Sequence, residues 1–131
     1  MAQLNTEQVA LLSEPHIAQI VTLMSDGSPQ ISPVWIDTDG NDVLFNTALG
    51  RVKTDNIERD ARVAVGVYDA ANPTTRVVNI RGHVTDITSE GADDHIDKLA
   101  KKYTGAETYS GHSPNLTRVI VRINPDNITG R

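Results

Sequence analysis

The chain has 131 residues, with 17 acidic and 12 basic side chains, a formal net charge of −5 and no cysteine. This length fits one compact domain over residues 1–131, and the lack of cysteine excludes disulfides, thiol catalysis and cysteine-ligated zinc. The acidic balance disfavours nucleic acid and membrane surfaces as partners, and no apolar run is long enough to span a bilayer, so we expect a cytoplasmic protein.

The first predicted element is a short helix over residues 5–12. Asn5 is a favourable N-cap, and Gln8, three residues later, completes a weak capping box. Pro15 ends the helix because proline cannot continue the backbone hydrogen-bond pattern.

Six β-strands are predicted from runs rich in Val and Ile that turn residues bound. Their spans are residues 17–24, 30–37, 43–47, 62–68, 76–88 and 117–123. Asp39 and Gly40 indicate a tight hairpin between the second and third strands. Pro33 requires its strand to lie at an edge or a bulge, and Gly82 predicts a bulge or bend in the fifth strand.

Two further helices are predicted over residues 51–59 and 90–103, followed by a loop rich in Gly, Ser and Pro over 105–115. The tight turns between strands favour an antiparallel sheet. No strand is followed by G-x-G-x-x-G, which disfavours a Rossmann domain. The predicted fold class is therefore mainly β, a barrel of six to seven antiparallel strands with about three helices.

The entry to the second predicted helix breaks the usual electrostatic pattern. Helix N-termini carry partial positive charge and attract acids, yet Arg51 and Lys53 stand in this first turn, after Gly50. Two cations and free backbone N–H groups repel each other unless an anion lies among them, and Asn46 or Thr47 could add a donor. The pattern indicates a phosphate site, although cations that face solvent beside neighbouring acids are an alternative interpretation.

Other catalytic patterns are missing. The histidines lack the spacing of metal ligands, and the Ser-x-His loop at residues 110–113 lacks a G-x-S-x-G elbow. We therefore predict neither a metal site nor a hydrolase, and no catalytic residue is assigned. Trp35 is the only tryptophan, and its position on a strand suits the core, a dimer interface or a ligand contact.

Four sequence blocks, in order, resemble those of a known family. Residues 26–35 (DGSPQISPVW) and 50–63 (GRVKTDNIERDARV) resemble the D-G-x-P-x-x-x-P/N-V-W and R-x-K-x-x-N-L-x-x-D-P-R-V stretches of the pyridoxamine 5′-phosphate oxidase-like split β-barrel flavoproteins. Residues 76–82 (RVVNIRG) and 99–105 (LAKKYTG) resemble their R-Y-V-x-I-x-G and L-x-x-K-Y-x-G blocks. Ala61 stands where the family has proline. Within this superfamily the chain most resembles the actinobacterial oxidoreductases that use coenzyme F420.

The resemblance implies a split β-barrel homodimer with the cofactor at the subunit interface. The implied cofactor is coenzyme F420, with flavin mononucleotide (FMN) as the alternative. The implied cofactor-binding residues are Ser32, Pro33, Val34, Trp35, Ile36, Asn46, Thr47, Gly50, Arg51, Lys53 and Asn56. The first five lie along the ring system, largely through backbone groups, while Arg51 and Lys53 hold the phosphate.

The implied activity is hydride transfer from reduced deazaflavin to a conjugated small-molecule substrate. The cofactor supplies the chemistry, so no acid–base or nucleophile pattern is needed. If a proton must be delivered, Tyr103, Tyr109 and His112 are candidates, and solvent is another. An FMN-binding oxidase or flavin reductase remains an alternative. A non-catalytic cofactor carrier or sensor is another, because relatives often carry aromatic residues around Thr75 and Val77, where this chain has none.

Overall fold

The computed structural model of the protein describes residues 2–130. Its helices and strands are α1 (Thr6–Ser13), β1 (Ala18–Leu23), β2 (Pro29–Val34), β3 (Ile36–Asp39), β4 (Asp42–Ala48), α2 (Val52–Arg59), β5 (Arg62–Tyr68), β6 (Val77–Thr88), α3 (Ala92–Thr104) and β7 (Arg118–Gly130). The predicted mainly β fold with about three helices is confirmed. Within residues 2–130, no helix has both the length and the apolar character that a membrane crossing requires.

The seven strands form one antiparallel sheet in the order β2-β1-β5-β6-β7-β4-β3. Strands β2 and β3 thus lie at opposite edges of the sheet, yet only Trp35 separates them in the chain. Neighbouring strands lie about 4.8 Å apart, so the edges of a flat sheet this wide would be on the order of 30 Å apart. One residue cannot span that distance, and the sheet therefore curls until its edges meet.

The prediction of one strand over residues 30–37 is wrong, because the chain changes partner at Trp35. Val34 pairs with Ala18 of β1, whereas Ile36 pairs with Phe45 of β4. Alternation of side chains predicts that a segment is extended, but it carries no information about which strand lies beside it. The prediction that Pro33 lies on an edge strand is confirmed, since β2 has a neighbour on one side only.

The end of α3 ties the edge strand β3 to the segment before β1 and to α1, beside the point where the sheet closes. The Tyr103 hydroxyl donates to the carbonyl of His16 at 2.8 Å and accepts from the backbone N–H of Ile36 at 3.1 Å. Lys102 Nζ donates to the Ile36 carbonyl and to a carbonyl of α1, each at 2.7 Å. The Tyr103 ring also stacks on Trp35, with centroids 5.3 Å apart. We call this junction the seam.

The core lies inside the curled sheet, with α1 covering one end. Its largest fully buried apolar side chains come from the inward faces of the strands and from α1: Phe45, Leu12, Ile20, Ile36, Ile80 and Ile123. Burying one such side chain stabilises the fold by about 1.5–3 kcal/mol relative to leaving it exposed.

The predicted capping box of α1 is confirmed. Asn5 Oδ1 accepts from the backbone N–H of Gln8 at 2.8 Å, and Gln8 Oε1 accepts from the backbone N–H of Asn5 at 2.9 Å. These two bonds satisfy donors that the helix itself leaves free.

The predicted bulge at Gly82 is also confirmed, because the register between β6 and β7 shifts there. A Cβ atom at this glycine would lie 2.5 Å from the Asn124 carbonyl oxygen, so only glycine allows this approach. Strand β7 continues to Gly130, well beyond the predicted end at residue 123. Asn124, Pro125 and Asn127 stay paired with β6, and Asp126 is the extra residue of the bulge. The local sequence does not reveal this pairing.

Candidate functional site

An open cavity of about 270 Å³ lies beside the start of α2. Its walls come from the junction of β2 and β3, the end of β4, the first turn of α2, helix α3, and β7 with the loop before it. The lining residues are Ile17, Pro33, Val34, Trp35, Asn46, Thr47, Arg51, Lys53, Ile96, Tyr109 and Arg118.

The entry to α2 places two cations on this cavity. Gly50 has φ +88°, a left-handed conformation that favours glycine, and it turns the chain from β4 into the helix. Thr54 Oγ1 donates to the Ala48 carbonyl at 2.8 Å and so fixes the helix to the end of the strand. Arg51 is the N-cap residue, and no side chain caps the first turn, so its backbone N–H groups stay available. Arg51 is exposed and Lys53 is half-buried.

A third cation, Arg118, reaches the cavity from β7. This side chain is buried, with 6% of its surface exposed. Its Nε donates to Asn46 Oδ1 at 2.8 Å, and its guanidinium carbon lies 5.2 Å from the centre of the Tyr109 ring. Arg118 Nη1 is buried and has no hydrogen-bond partner within residues 2–130. A buried guanidinium with a free donor is costly unless something binds it.

We call Arg51, Lys53 and Arg118 the cation cluster. None of them forms an ion pair with any carboxylate in the described part of the chain. Burial, with the charges of Arg51 and Arg118, holds the pKa of Lys53 below its ordinary value. Burial also lowers the pKa of Arg118. Burial and the neighbouring cations thus disfavour these positive charges, and a bound anion would stabilise them.

An aromatic wall faces the cation cluster. Trp35 stacks on Tyr103, with 9° between the ring planes, and Tyr109 meets Trp35 edge-on with centroids 5.9 Å apart. Stacked and edge-on pairs both hold rings rigidly. The cavity therefore combines a flat apolar surface with three cations, which suits a ligand that carries a planar ring and a negative group.

Most residues of the predicted cofactor site line this cavity: Pro33, Val34, Trp35, Asn46, Thr47, Arg51 and Lys53. Ser32, Ile36, Gly50 and Asn56 do not line it. Ile36 is part of the core, and Ser32 Oγ is buried without a hydrogen-bond partner in the described chain.

Asn56 has a structural position behind α2. Its Nδ2 donates to Thr22 Oγ1 at 3.0 Å, and its Oδ1 accepts from Arg59 at 2.9 Å. These bonds attach α2 to β1, and they leave the Asn56 amide facing away from the cavity.

The three predicted proton donors occupy different settings. Tyr103 uses its hydroxyl in two of the hydrogen bonds of the seam. Tyr109 lines the cavity. His112 Nε2 lies 2.6 Å from Asp97 Oδ1, and the same oxygen accepts from the backbone N–H of Tyr109 at 2.8 Å. Asp97 therefore holds the loop that carries Tyr109 over the cavity.

Thr75 and Val77 line a different cavity, which lies between α1 and β6. Within one chain, these two positions therefore contribute nothing to the walls of the cation-lined cavity.

Arg118, Ile17 and Ile96 line the cavity but were not predicted from the sequence. Alternation along β7 places Arg118 on the face opposite the core, where an arginine is ordinarily exposed. Helix α3 and its following loop cover this face, and the partner Asn46 stands 72 residues earlier in the chain. No local sequence signal could have found this contact.

A second charged cluster lies at the end of α1 and contains two carboxylates rather than a group of cations. Glu14, His16 and Asp69 place ligand atoms within 4.8 Å of one another, the arrangement of a possible cation site. Arg76 already occupies it, donating to both Glu14 oxygens at 2.9 Å and to Asp69 at 2.6 Å. The guanidinium supplies the positive charge that these carboxylates require.

Comparisons with known proteins agree with this geometry. The family model for pyridoxamine 5′-phosphate oxidase matches residues 4–131. An F420H2-dependent biliverdin reductase of Mycobacterium tuberculosis is 25% identical over 130 residues, which cover 98% of this chain and 88% of the relative. A solved F420 reductase superposes with a TM-score of 0.83 at 29% identity, covering 93% of this chain and 95% of that one.

A conserved hypothetical protein of Mycobacterium tuberculosis is also similar in structure, with a TM-score of 0.73 at 21% identity over 98% of this chain and 84% of the other. Together with the seven-stranded curled sheet, these likenesses confirm the predicted split β-barrel.

Proposed function

The chain belongs to the pyridoxamine 5′-phosphate oxidase family, and from that premise we propose that it is a coenzyme F420-dependent reductase, which transfers a hydride from the reduced deazaflavin to a conjugated organic substrate. The observation that carries the proposal is the cation cluster beside the aromatic wall. A deazaflavin cofactor joins a planar ring system to an anionic phosphate, and this cavity offers a partner for each.

The donors present fit such a group. Arg118 Nη1 is buried on the cavity wall with no partner in residues 2–130, and Arg51 and Lys53 approach the same space from α2. In this proposal the three side chains hold the phosphate, with the free N–H groups of the first turn of α2. The ring system lies along the backbone of residues 32–36 and beside Trp35.

When bound, the cofactor supplies the hydride chemistry, and the protein supplies binding, orientation and a site with little water. Trp35 and the neighbouring apolar side chains exclude water from one side of the cavity. Of the three predicted proton donors, Tyr109 is the one that lines this cavity, and water is the other source of a proton. Neither Tyr103 nor His112 fits this role as well, because hydrogen bonds within the fold already engage both.

The relatives support the choice of cofactor. One solved relative is an F420 reductase, and another relative is an F420H2-dependent biliverdin reductase. Biliverdin is a conjugated molecule, and it is therefore the first acceptor to test. The cation cluster would also accept the phosphate of FMN, so FMN is the runner-up cofactor and the comparison ligand for binding experiments.

We also propose that the protein acts as a cytoplasmic homodimer with its cofactor at the interface. The cavity is open on one side, and exposed apolar residues stand near its mouth: Ile17 is 50% exposed, Leu49 46% and Val52 51%. A second chain would cover these side chains and complete the cavity. Light scattering on the eluting protein should give twice the chain mass of 14.2 kDa. A cytoplasmic location matches the supply of reduced cofactor inside the cell.

Parallel fluorescence titrations with coenzyme F420 and FMN test the cofactor, followed by oxidation of the reduced deazaflavin in the presence of biliverdin and a panel of quinones. Tighter binding of F420, with oxidation that depends on the acceptor, supports the proposal. Tighter binding of FMN, or a yellow purified protein, favours an FMN-dependent oxidase or flavin reductase. Tight F420 binding without turnover of any acceptor favours a carrier or sensor.

A further inference from the structure

A buried polar network stands behind the cation cluster and links Arg118 to helix α3. Asn46 is its centre: Nδ2 donates to the Ala92 carbonyl at 2.8 Å and lies 3.1 Å from His95 Nδ1, while Oδ1 accepts from Arg118 Nε at 2.8 Å. The orientation of this amide is determined by its neighbours. A carbonyl can only accept and a guanidinium can only donate, so Nδ2 must face Ala92 and Oδ1 must face Arg118.

The Asn46 amide in turn determines the tautomer of His95. Because Asn46 Nδ2 is a donor, His95 Nδ1 must be an acceptor without a proton, and the proton of the neutral ring lies on Nε2. This Nε2 is buried and faces Asp37, whose Oδ2 lies 3.5 Å away. His95 itself is 9% exposed.

We propose that His95 is a positioning residue for the cation cluster: in its neutral form, with the proton on Nε2, it holds Asn46 so that Arg118 faces the cavity, and protonation of the ring releases Arg118. The inference rests on the anion-binding role proposed above for the cation cluster, and it does not depend on which cofactor binds.

Protonation breaks the network because it turns an acceptor into a donor. An imidazolium ring donates from both nitrogens, so Nδ1–H would point at the N–H of Asn46 Nδ2. Rotation of the amide by half a turn relieves that clash, but it removes Oδ1 from Arg118 and places a donor there. The Nε–H group of Arg118 then has no hydrogen-bond acceptor, and the side chain is no longer held at the cavity wall.

Charged groups from three elements act on His95. Asp37, on β3, faces His95 Nε2, and contact with His95 holds the pKa of Asp37 well below its ordinary value, so this carboxylate stays charged. Lys98 on α3 lies 3.3 Å from the same carboxylate and partly compensates it, and Lys102 acts on it from farther along the helix. Arg118 on β7 is the positive charge on the other side of Asn46.

Binding of sulfate as a function of pH tests the proposal, because sulfate keeps its charge while histidines titrate. Calorimetry from about pH 8 down to pH 5 should show the affinity of the wild-type protein falling by about tenfold or more, as a charge-assisted contact is lost. General electrostatics predict the opposite trend, since added positive charge strengthens anion binding. Sulfate affinity that is constant or rises on acidification overturns the proposal.

The matched variant is His95→Asn, whose Oδ1 can accept from Asn46 but does not titrate. It should keep the neutral-pH sulfate affinity within about twofold and lose the pH dependence. His95→Leu removes the acceptor and should weaken sulfate binding at all pH values. A variant His95→Asn with the same pH dependence as the wild type contradicts the proposal.

Long-range proton–nitrogen NMR of the wild-type imidazoles provides a test that no substitution can disturb. The Nε2–H tautomer of His95, with an Arg118 Nε–H signal that disappears as His95 protonates, supports the inference, and the Nδ1–H tautomer overturns it. Sulfate and NMR require no cofactor. A failure to bind F420 would therefore be distinguishable from a failure of this inference.

Discussion

Strand β7 carries two arginines on the same face in opposite surroundings. Arg122 donates to Asp39 at 2.8 Å and to Asp42 at 2.9 Å, so its charge is matched by the hairpin between β3 and β4. Arg118 forms no ion pair in the described chain, and it lines the cavity together with Arg51 and Lys53. The charge of Asp93 acts on it only from beyond ion-pair distance. The charge of Arg122 is matched within the fold, whereas Arg118 keeps an unmatched positive charge for which we propose a bound anion.

This difference suggests a rule: cations without a nearby carboxylate mark a candidate binding site for an anion. In a chain with more acids than bases, a carboxylate is available for almost any cation. Arg76, between Glu14 and Asp69, is a second example of a matched cation. A cluster of cations without carboxylates costs stability unless an anion binds there, which is the role proposed above.

Replacing Arg118 with methionine should have the largest effect on cofactor binding. The affinity for the cofactor should fall by about 2–5 kcal/mol, because a buried charged donor to the anion is lost. The free energy of unfolding without ligand should change little, because removal of a buried uncompensated charge offsets the loss of the donor to Asn46 Oδ1. Fluorescence titration and chemical denaturation measure the two effects. Unchanged affinity would remove Arg118 from the site.

Lys53→Ala should have the next largest effect and weaken cofactor binding by about 1–3 kcal/mol while the fold stays intact. Arg51→Ala should act similarly, and the double variant should lose less than the sum because both side chains meet one phosphate. Lys101→Ala, an exposed lysine on α3 outside the cavity, is the control. Strict additivity in calorimetry would show that the two cations bind separate groups.

Arg122→Met tests the second arginine of β7, whose charge is matched by Asp39 and Asp42. The variant should lose about 0.5–1 kcal/mol of stability, the scale of partly exposed ion pairs, because Asp39 and Asp42 lose their counter-charge. Cofactor affinity should equal that of the wild type. If this variant weakened binding as much as Arg118→Met, the distinction between the two arginines would be wrong.

The smallest expected effect concerns the matched cluster at the end of α1. Hydrogen bonds from Arg76 and then His16 lower the pKa of Glu14 to about 2, against an ordinary value of 4.5. A carboxyl group with a depressed folded-state pKa stabilises the fold above pH 4.5, and this contribution is lost as the pH falls toward 2.

Glu14→Gln should therefore lose less melting temperature between about pH 6 and pH 3 than the wild type does. The control is Glu7→Gln in α1, an exposed glutamate without an ion pair in residues 2–130. Equal losses in the wild type and Glu14→Gln would show that the pair with Arg76 contributes nothing.

The sequence predicted those features that depend on neighbouring residues. The capping box of Asn5 and Gln8, the bulge at Gly82 and the cations that begin α2 all follow from local rules. The sequence blocks that resemble the known family then predicted the overall fold, a split β-barrel. The change of partner at Trp35 and the continuation of β7 past Ile123 could not be predicted, because both depend on which distant strand lies alongside.

The candidate site divides in the same way. Arg51 and Lys53 stand in one turn, and their unusual placement at a helix start is visible in the sequence. Arg118 reaches the cavity only because β7 pairs with β4 and α3 covers that face of the strand. The network through Asn46 and His95 requires three elements to meet, so only the structure reveals it.

The position of Trp35 allows its fluorescence to report on two different structural changes. As the only tryptophan, it dominates the intrinsic emission of the chain, and it touches both the seam and the cavity. Parting of the barrel edges would move its indole from Tyr103 into water and shift the emission to the red. A ring that stacks beside it would quench the emission instead. One unlabelled sample can thus distinguish opening of the barrel from occupation of its cavity.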